Sequence, residues 1–338
     1  MIRIFHNSTF EFVKHWRLAA ILTIAFILAG GVTYATTGAP NYSIEFTGGT
    51  LMQAQFKTKP DVAVIRSTLD EAGIAGAEIQ QYGTDLDYTI RARDEKQVAA
   101  QDAGAEGISK KIGAALEAKF GAGAVTIVRT EAVGPKVGSE LRSGAFKALL
   151  IASLFTLIYL AIRFDWRFGL AAVLSTTHDI LVTLAFIKLL DIEVSLTVVA
   201  AILTLVGYSA NDTIIIFDRV REDLRKRKKG ESLYQVLDRA INETLPRSIM
   251  THATTLASTL ALLFIAGEVI RPFALVMAFG VFVATFSSMY VAGPILMWIE
   301  SRYPRAYGEV QSRAMRAGVD ATAPTTPRPR GGDRLAAR

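Results

Sequence analysis

Six stretches of the chain are almost continuously apolar: 18–36, 145–162, 169–190, 195–217, 245–266 and 272–299. Each is close to the roughly 20 residues that an α-helix needs to cross the ~30 Å hydrocarbon core of a bilayer. The last is long enough to tilt. The pattern predicts six membrane-spanning helices, preceded by a short basic leader at 1–17. A cleavable signal peptide has a shorter apolar core of ~7–15 residues, so the first run reads as an uncleaved anchor.

Between the first and second apolar runs, residues 37–143 have ordinary globular patterning. Segment 51–57 alternates as a strand does, and 60–72 has helical spacing (Val62, Ile65, Leu69), opened by Pro60 and Asp61 and stopped by Gly73. Two short strands follow at 77–82 and 88–93, split by the turn residues Gly83, Thr84 and Asp85. A second helix is predicted over 95–120 and a last strand over 124–133. The order βαββαβ is the split arrangement of a ferredoxin-like α+β domain. The predicted fold class is therefore a membrane bundle of six helices with an inserted ferredoxin-like domain.

Composition and charge add a direction. The chain is 51% hydrophobic and its formal charge is +6, yet 37–143 holds 12 Lys/Arg against 14 Asp/Glu. The positive charge thus lies elsewhere, with Arg163 and Arg167 between spans two and three and seven cations from Arg219 to Lys229 between spans four and five. Basic residues in short loops mark the cytoplasmic side. Both termini and the basic loop at 218–244 are then cytoplasmic, with the inserted domain outside. The cluster needs no nucleic acid to explain it: topology and contact with anionic lipid suffice. Leu233, Val236, Leu237, Ile241 and Leu245 follow as an amphipathic helix on the inner surface or against the bundle. Trp166 and Trp298 suit interfacial anchors, while Lys147 and Lys188 on the outer side are exceptions that could snorkel. The tail within 300–338, rich in Ala, Pro, Thr and Arg, has a disordered composition.

The candidate chemistry lies inside the spans. Asn211 and Asp212 sit about 8 Å inside Phe217, the last apolar residue of the fourth run. A carboxylate there costs at least ~2.5–3.5 kcal/mol, so it marks ion or proton movement unless it serves only as a cap or packing group. Span three contributes Ser175, His178, Asp179 and Thr183, and span five opens with Pro246 and Arg247 ahead of a run of Ser and Thr. Faces of spans three, four and five could line one hydrated cavity. Two alternatives stand for Arg247: snorkelling to the interface, or an ion pair with Asp212 or Asp179. His178 is either a titrating group or a neutral packing residue. With no cysteine, thiolate metal sites and thiol nucleophiles are excluded. No metal-ligand spacing, Ser/His/Asp set or phosphate loop points to an enzyme or a cofactor.

Particular motifs give a sharper picture: Phe46-Thr47-Gly48-Gly49-Thr50, the junction Val133-Gly134-Pro135-Lys136-Val137-Gly138, Arg163-Phe164-Asp165-Trp166, Thr177-His178-Asp179, Val206-Gly207-Tyr208-Ser209-Ala210-Asn211-Asp212-Thr213 and Gly267-Glu268-Val269-Ile270-Arg271. Together they resemble the SecD/SecF family of bacterial protein translocase subunits, within the resistance-nodulation-division (RND) superfamily. The resemblance implies half of an RND bundle that pairs with SecD and assists the SecYEG channel, with YajC as a further partner. It implies that the proton motive force draws preproteins out across the bacterial inner membrane. It carries the family's functional aspartate onto Asp212 and a basic residue at the start of span five onto Arg247. Ser43-Ile44-Glu45-Phe46 departs from the family's Gly-Ile-Asp-Phe, and Pro246 replaces a small hydroxyl residue. Gly48 and Gly49, ahead of a strand, suit positive φ or close backbone approach where the inserted domain joins its base.

Two other functions fit the same pattern. One is a half-size RND-type exporter of small molecules; the other is a purely structural stabiliser of the translocon, with the intramembrane polar residues acting as helix glue.

Overall fold

The computed structural model describes residues 8–74, 76–92, 104–163, 165–226, 231–267 and 269–303. Among them, six helical segments are long and apolar enough to cross a membrane. The first is α1 Trp16–Thr37, entered through a 3-10 turn at Val13–His15. The chain then makes a short helix, α2 Ile44–Thr47, before the first strand.

The inserted domain runs β1 Gly49–Phe56, α3 Val62–Glu71, β2 Glu78–Gln81, β3 Asp87–Ala92, α4 Gly104–Phe120 and β4 Val125–Val133. The sheet order is β2-β3-β1-β4 and every pairing is antiparallel. This is the ferredoxin-like βαββαβ arrangement, and the part of the second helix expected at 95–103 lies outside the described residues. Alternate side chains of a strand point to opposite faces. Met52, Ala54 and Phe56 of β1 therefore join Tyr88 and Ile90 of β3 in one core with Ile65 and Leu69 of α3 and Ile112 and Leu116 of α4. Asp61 starts α3 by accepting the Ala63 N–H at 2.8 Å, and Gly73 ends it at φ 73°.

The remaining spans are α5 Pro135–Arg163, α6 Trp166–Leu189, α7 Leu196–Arg225, α8 Leu233–Ile265 and α9 Arg271–Tyr290, followed by α10 Ala292–Arg302. The main compact unit ends at Met297 and a short terminal unit begins at Trp298. Helices α6, α7 and α9 form the buried centre, through Ile180 and Ile187, Val198, Ile202 and Val206, and Val276 and Val281. By contrast α1 and α5 turn large apolar side chains outward, including Ile21, Leu28, Phe155 and Ile162. In a bilayer such faces meet lipid or another helix. Helix α1 nevertheless touches α6 closely, because a Cβ on Gly30 would lie 2.5 Å from Ala185 Cβ.

Three expectations need correction or refinement. The amphipathic segment after the basic loop and the fifth span are one continuous helix, α8, of 33 residues. Pro246 removes a single backbone donor, which a long packed helix tolerates. At 1.5 Å per residue α8 is about 50 Å long, so it extends well beyond the ~30 Å hydrocarbon core. Its start is fixed by a capping box: Ser232 Oγ accepts the Gln235 N–H at 3.3 Å, and Gln235 Oε1 accepts the Ser232 N–H at 2.9 Å. Second, the run 272–299 does form one candidate span, Arg271–Arg302, but its helix is interrupted at Val291, where Pro294 has no N–H to give Tyr290. Third, Lys188 does not snorkel outward; it is buried and donates to the Ala39 carbonyl at 3.2 Å.

Candidate functional site in the membrane bundle

Spacing of four residues places Ser175, Asp179 and Thr183 on one stripe of α6, and all three are fully buried. Asp179 accepts three side-chain hydrogen bonds in the bundle interior. Its Oδ1 accepts from His178 Nδ1 at 2.9 Å, and its Oδ2 accepts from Ser209 Oγ of α7 at 2.6 Å and Ser287 Oγ of α9 at 2.7 Å. A buried carboxylate requires such donors. These bonds tie together the three central helices.

One turn beyond Ser209, α7 presents Asp212, which is 3% exposed. Its Oδ1 accepts from Ser248 Oγ of α8 at 2.6 Å. Among the described residues its Oδ2 has no hydrogen-bond partner. The Ser248 carbonyl in turn accepts from His252 Nδ1 at 2.6 Å, and His252 Nε2 is buried with no partner among the described residues. Thr213 Oγ1, Thr183 Oγ1, Ser175 Oγ and His178 Nε2 are also buried and unpartnered among the described residues. A buried polar group without a partner costs ~1–3 kcal/mol. Several such groups lie along α6, α7 and α8, and the described residues supply them no partner.

The proposed relay residues divide into two sets. Asp179 and Asp212 are interior, with His178 beside Asp179. Asn211 and Arg247 are exposed on the outer side of the chain. No Arg247–Asp212 or Arg247–Asp179 ion pair forms among the described residues, and Ser248 takes the place proposed for the arginine. The physical reason is helical phase: neighbouring residues diverge by about 100°, so if Ser248 faces α7 then Arg247 faces away. Nor does Arg247 stand in a first helical turn, because α8 begins at Leu233. The single expected cavity becomes a buried interior plus an outward polar stripe. Thr204, Gly207 and Asn211 of α7, with Arg247, Thr251, Thr254 and Ser258 of α8, make up that stripe. Such a stripe within membrane helices needs cover from another polar or small-residue surface.

Sequence patterning did not single out Ser209, Ser248 or Ser287 from the many hydroxyl residues in the spans. Only the depth of each carboxylate beneath the surface of the bundle gives these three hydroxyls their role.

The glycine motif forms the turn into β1. Gly48 and Gly49 have φ of 73° and 124°, values that L-residues with side chains rarely adopt. The start of α5 packs directly on this turn, since a Cβ on Gly138 would lie 3.0 Å from Gly48 N. Pro135 is the first residue of α5, where its missing N–H costs nothing. Gly134 has neither positive φ nor a close neighbour. Gly207 has open space beside it on the outward stripe.

Comparisons with known proteins point to one family. The C-terminal region of the protein export membrane proteins SecD and SecF matches residues 112–302, and the SecD/SecF GG motif matches residues 37–60. The protein translocase subunit SecF of Gemmatimonas aurantiaca is 75% identical over 338 residues, covering 100% of both chains. That of Vibrio alginolyticus is 38% identical over 292 residues, 86% of this chain and 90% of its own. The crystal structure of SecDF, a translocon-associated membrane protein from Thermus thermophilus, is similar with a TM-score of 0.75 and 34% identity over 87% of this chain. SecDF in a super-membrane-facing form gives a TM-score of 0.62 at 34% identity over 94% of this chain. This chain spans 39% and 41% of the length of those two SecDF chains. On the motifs, the six spans with their inserted ferredoxin-like domain, and these likenesses, the chain belongs to the SecD/SecF family of protein export membrane proteins, as a SecF-type subunit.

Proposed function

We propose that this chain is the half of a proton-driven export motor that converts proton passage at Asp212 into movement, assisting preprotein export through the SecYEG channel. The other half is a SecD-like chain, which covers the outward stripe of Asn211, Arg247 and the hydroxyl residues of α8. YajC is a further partner. The assembly lies in the bacterial inner membrane, with both termini and the basic 218–244 segment cytoplasmic and the inserted domain periplasmic, an orientation that the Lys/Arg bias of the short loops supports. The chain performs no reaction on a substrate of its own.

One observation carries this reading: Asp212 is buried between α7 and α8 and, among the described residues, has a single hydroxyl as partner and one carboxylate oxygen left over. Protonation removes its charge from a low-dielectric interior and so changes how α7 and α8 prefer to pack. Each proton crossing 100 mV releases about 2.3 kcal/mol. As about 1.4 kcal/mol is tenfold in an equilibrium constant, this is ample to drive a two-state change. Arg247, exposed within the chain beside Ser248, lies on the outward stripe, and its fixed charge acts across the interface with the SecD-like half.

Arg247→Ala tests the reading in membrane vesicles. The expected result is full assembly with the SecD-like chain and loss of gradient-stimulated preprotein export. Gradient-stimulated export at the unsubstituted level, in an intact complex, overturns the role given to Arg247. Isolation of the chain as a stable homodimer, with no SecD-like partner, overturns the pairing.

A further inference from the structure

The loop joining α6 to α7 links the helices that hold Asp179 and Asp212, and it is bound to the inserted domain at several points. Arg91 of β3 is 7% exposed and stands at the centre of these contacts. Its Nη2 lies 2.7 Å from Glu193 Oε1 of the loop, and its Nη1 lies 3.1 Å from Glu78 Oε2 of β2 and 3.4 Å from Asn41 Oδ1. The backbone adds a two-way tie: Val194 N–H donates to Asn41 O at 2.7 Å, and Ser43 N–H donates to Val194 O at 3.0 Å. Tyr42 and Val194 are thereby bridged in parallel.

Glu45 completes the connection. Its Oε2 accepts the N–H of Leu196, the first residue of α7, at 2.6 Å, and also the Ser43 hydroxyl at 3.0 Å. A carboxylate at a helix N-terminus meets both an unpaired backbone donor and the positive end of the helix dipole. A charge-assisted bond of this kind is short and directional. Leu196 precedes Asp212 by four and a half turns of the same helix, about 24 Å along its axis. A shift or rotation of α7 at Asp212 therefore moves the atoms to which the domain is bound. At the other end of the connecting segment, Gly48 is packed against the start of α5.

We propose that Glu45, Arg91 and Glu193 are positioning residues that transmit displacement of α7 to the inserted domain, so that proton passage moves the domain as well as the bundle. The proposal rests on Asp212 being the proton site, and its test separates the two ideas. The variant is Glu45→Gln with Glu193→Gln, which keeps side-chain shape and hydrogen-bonding capacity while removing both charges. It is compared with the unsubstituted complex and with Asp212→Asn in vesicles that contain the assembled translocase. The expected outcome is an assembled complex with normal gradient-independent export and continued proton uptake, in which gradient stimulation of export falls several-fold.

A second measurement covers the case in which the loss reflects misfolding. The chain has no cysteine, so Tyr42→Cys and Val194→Cys, at bridged positions, place one pair within disulfide reach. Oxidation of that pair in the Glu45→Gln, Glu193→Gln background restores gradient stimulation, and reduction removes it again. Full gradient stimulation in the double Gln variant, alongside its loss in Asp212→Asn, overturns the transmission role and leaves the proton site standing. Failure of the disulfide to restore a lost stimulation also overturns it. Gradient stimulation that survives Asp212→Asn contradicts the proton site itself.

Discussion

Ser248 Oγ donates to Asp212 Oδ1 at 2.6 Å across the contact between α7 and α8. It is the hydrogen bond that couples the buried carboxylate of α7 to the helix carrying Arg247. Substitution Ser248→Ala leaves the buried carboxylate without this donor, at an expected cost of ~1–3 kcal/mol. Ser248→Thr keeps the hydroxyl and costs less. Thermal unfolding of the complex in detergent measures both; an Ala variant as stable as the Thr variant shows that the bond contributes nothing.

Close packing of α1 on α6 gives a paired test. A methyl group on Gly30 would lie 2.5 Å from Ala185 Cβ and 2.7 Å from Ala185 Cα, whereas one on Gly31 meets nothing within 4 Å. Gly30→Ala forces the helices apart and should cost ~1–3 kcal/mol. Gly31→Ala should be neutral or stabilise by up to ~1 kcal/mol, since Ala is the better helix former. Equal unfolding temperatures for the two variants contradict the contact.

Stability of the inserted domain should depend on two carboxylates near the β2–β3 turn. The Lys59 ammonium at 2.9 Å, then the Gln81 amide at 2.9 Å, hold Asp85 below the usual carboxylate range. The Thr84 hydroxyl at 2.5 Å, then the Gln55 amide at 2.9 Å, outweigh desolvation and hold Asp87 low as well. A carboxyl whose folded value lies below its unfolded value of about 3.9 stabilises fully above that pH and loses its contribution as pH falls through the lowered value. Both groups are solvent-exposed, so the effect is small. Asp85→Asn with Asp87→Asn should therefore lower the unfolding temperature slightly at about pH 6, and the gap should close toward about pH 3. A gap that widens on acidification reverses the sign and contradicts the assignment.

Much of this molecule is legible in its sequence because the bilayer imposes a length rule on apolar runs, and because the inserted domain follows period-two and 3.6-residue patterning. The burial of Asp179 and Asp212 followed from their depth within apolar runs. What patterning left unresolved was helical phase and continuity. Pro246 looked like a helix start, yet α8 runs through it from Leu233, and that places Arg247 a hundred degrees away from the Ser248–Asp212 contact. Partners brought together from distant parts of the chain, such as Ser287 with Asp179 or Arg91 with Glu193, leave no local signature. They depend on tertiary packing alone.

The most direct measurement of the central claim is preprotein export, with and without a proton gradient, in vesicles whose only copy of this chain is Asp212→Asn. The amide keeps the shape of the side chain and still accepts from Ser248, but it cannot take up and release a proton. Export that falls to the gradient-independent level in a fully assembled complex is the expected result. Export that retains its gradient dependence shows that Asp212 is a packing group, and the proton path must then run elsewhere.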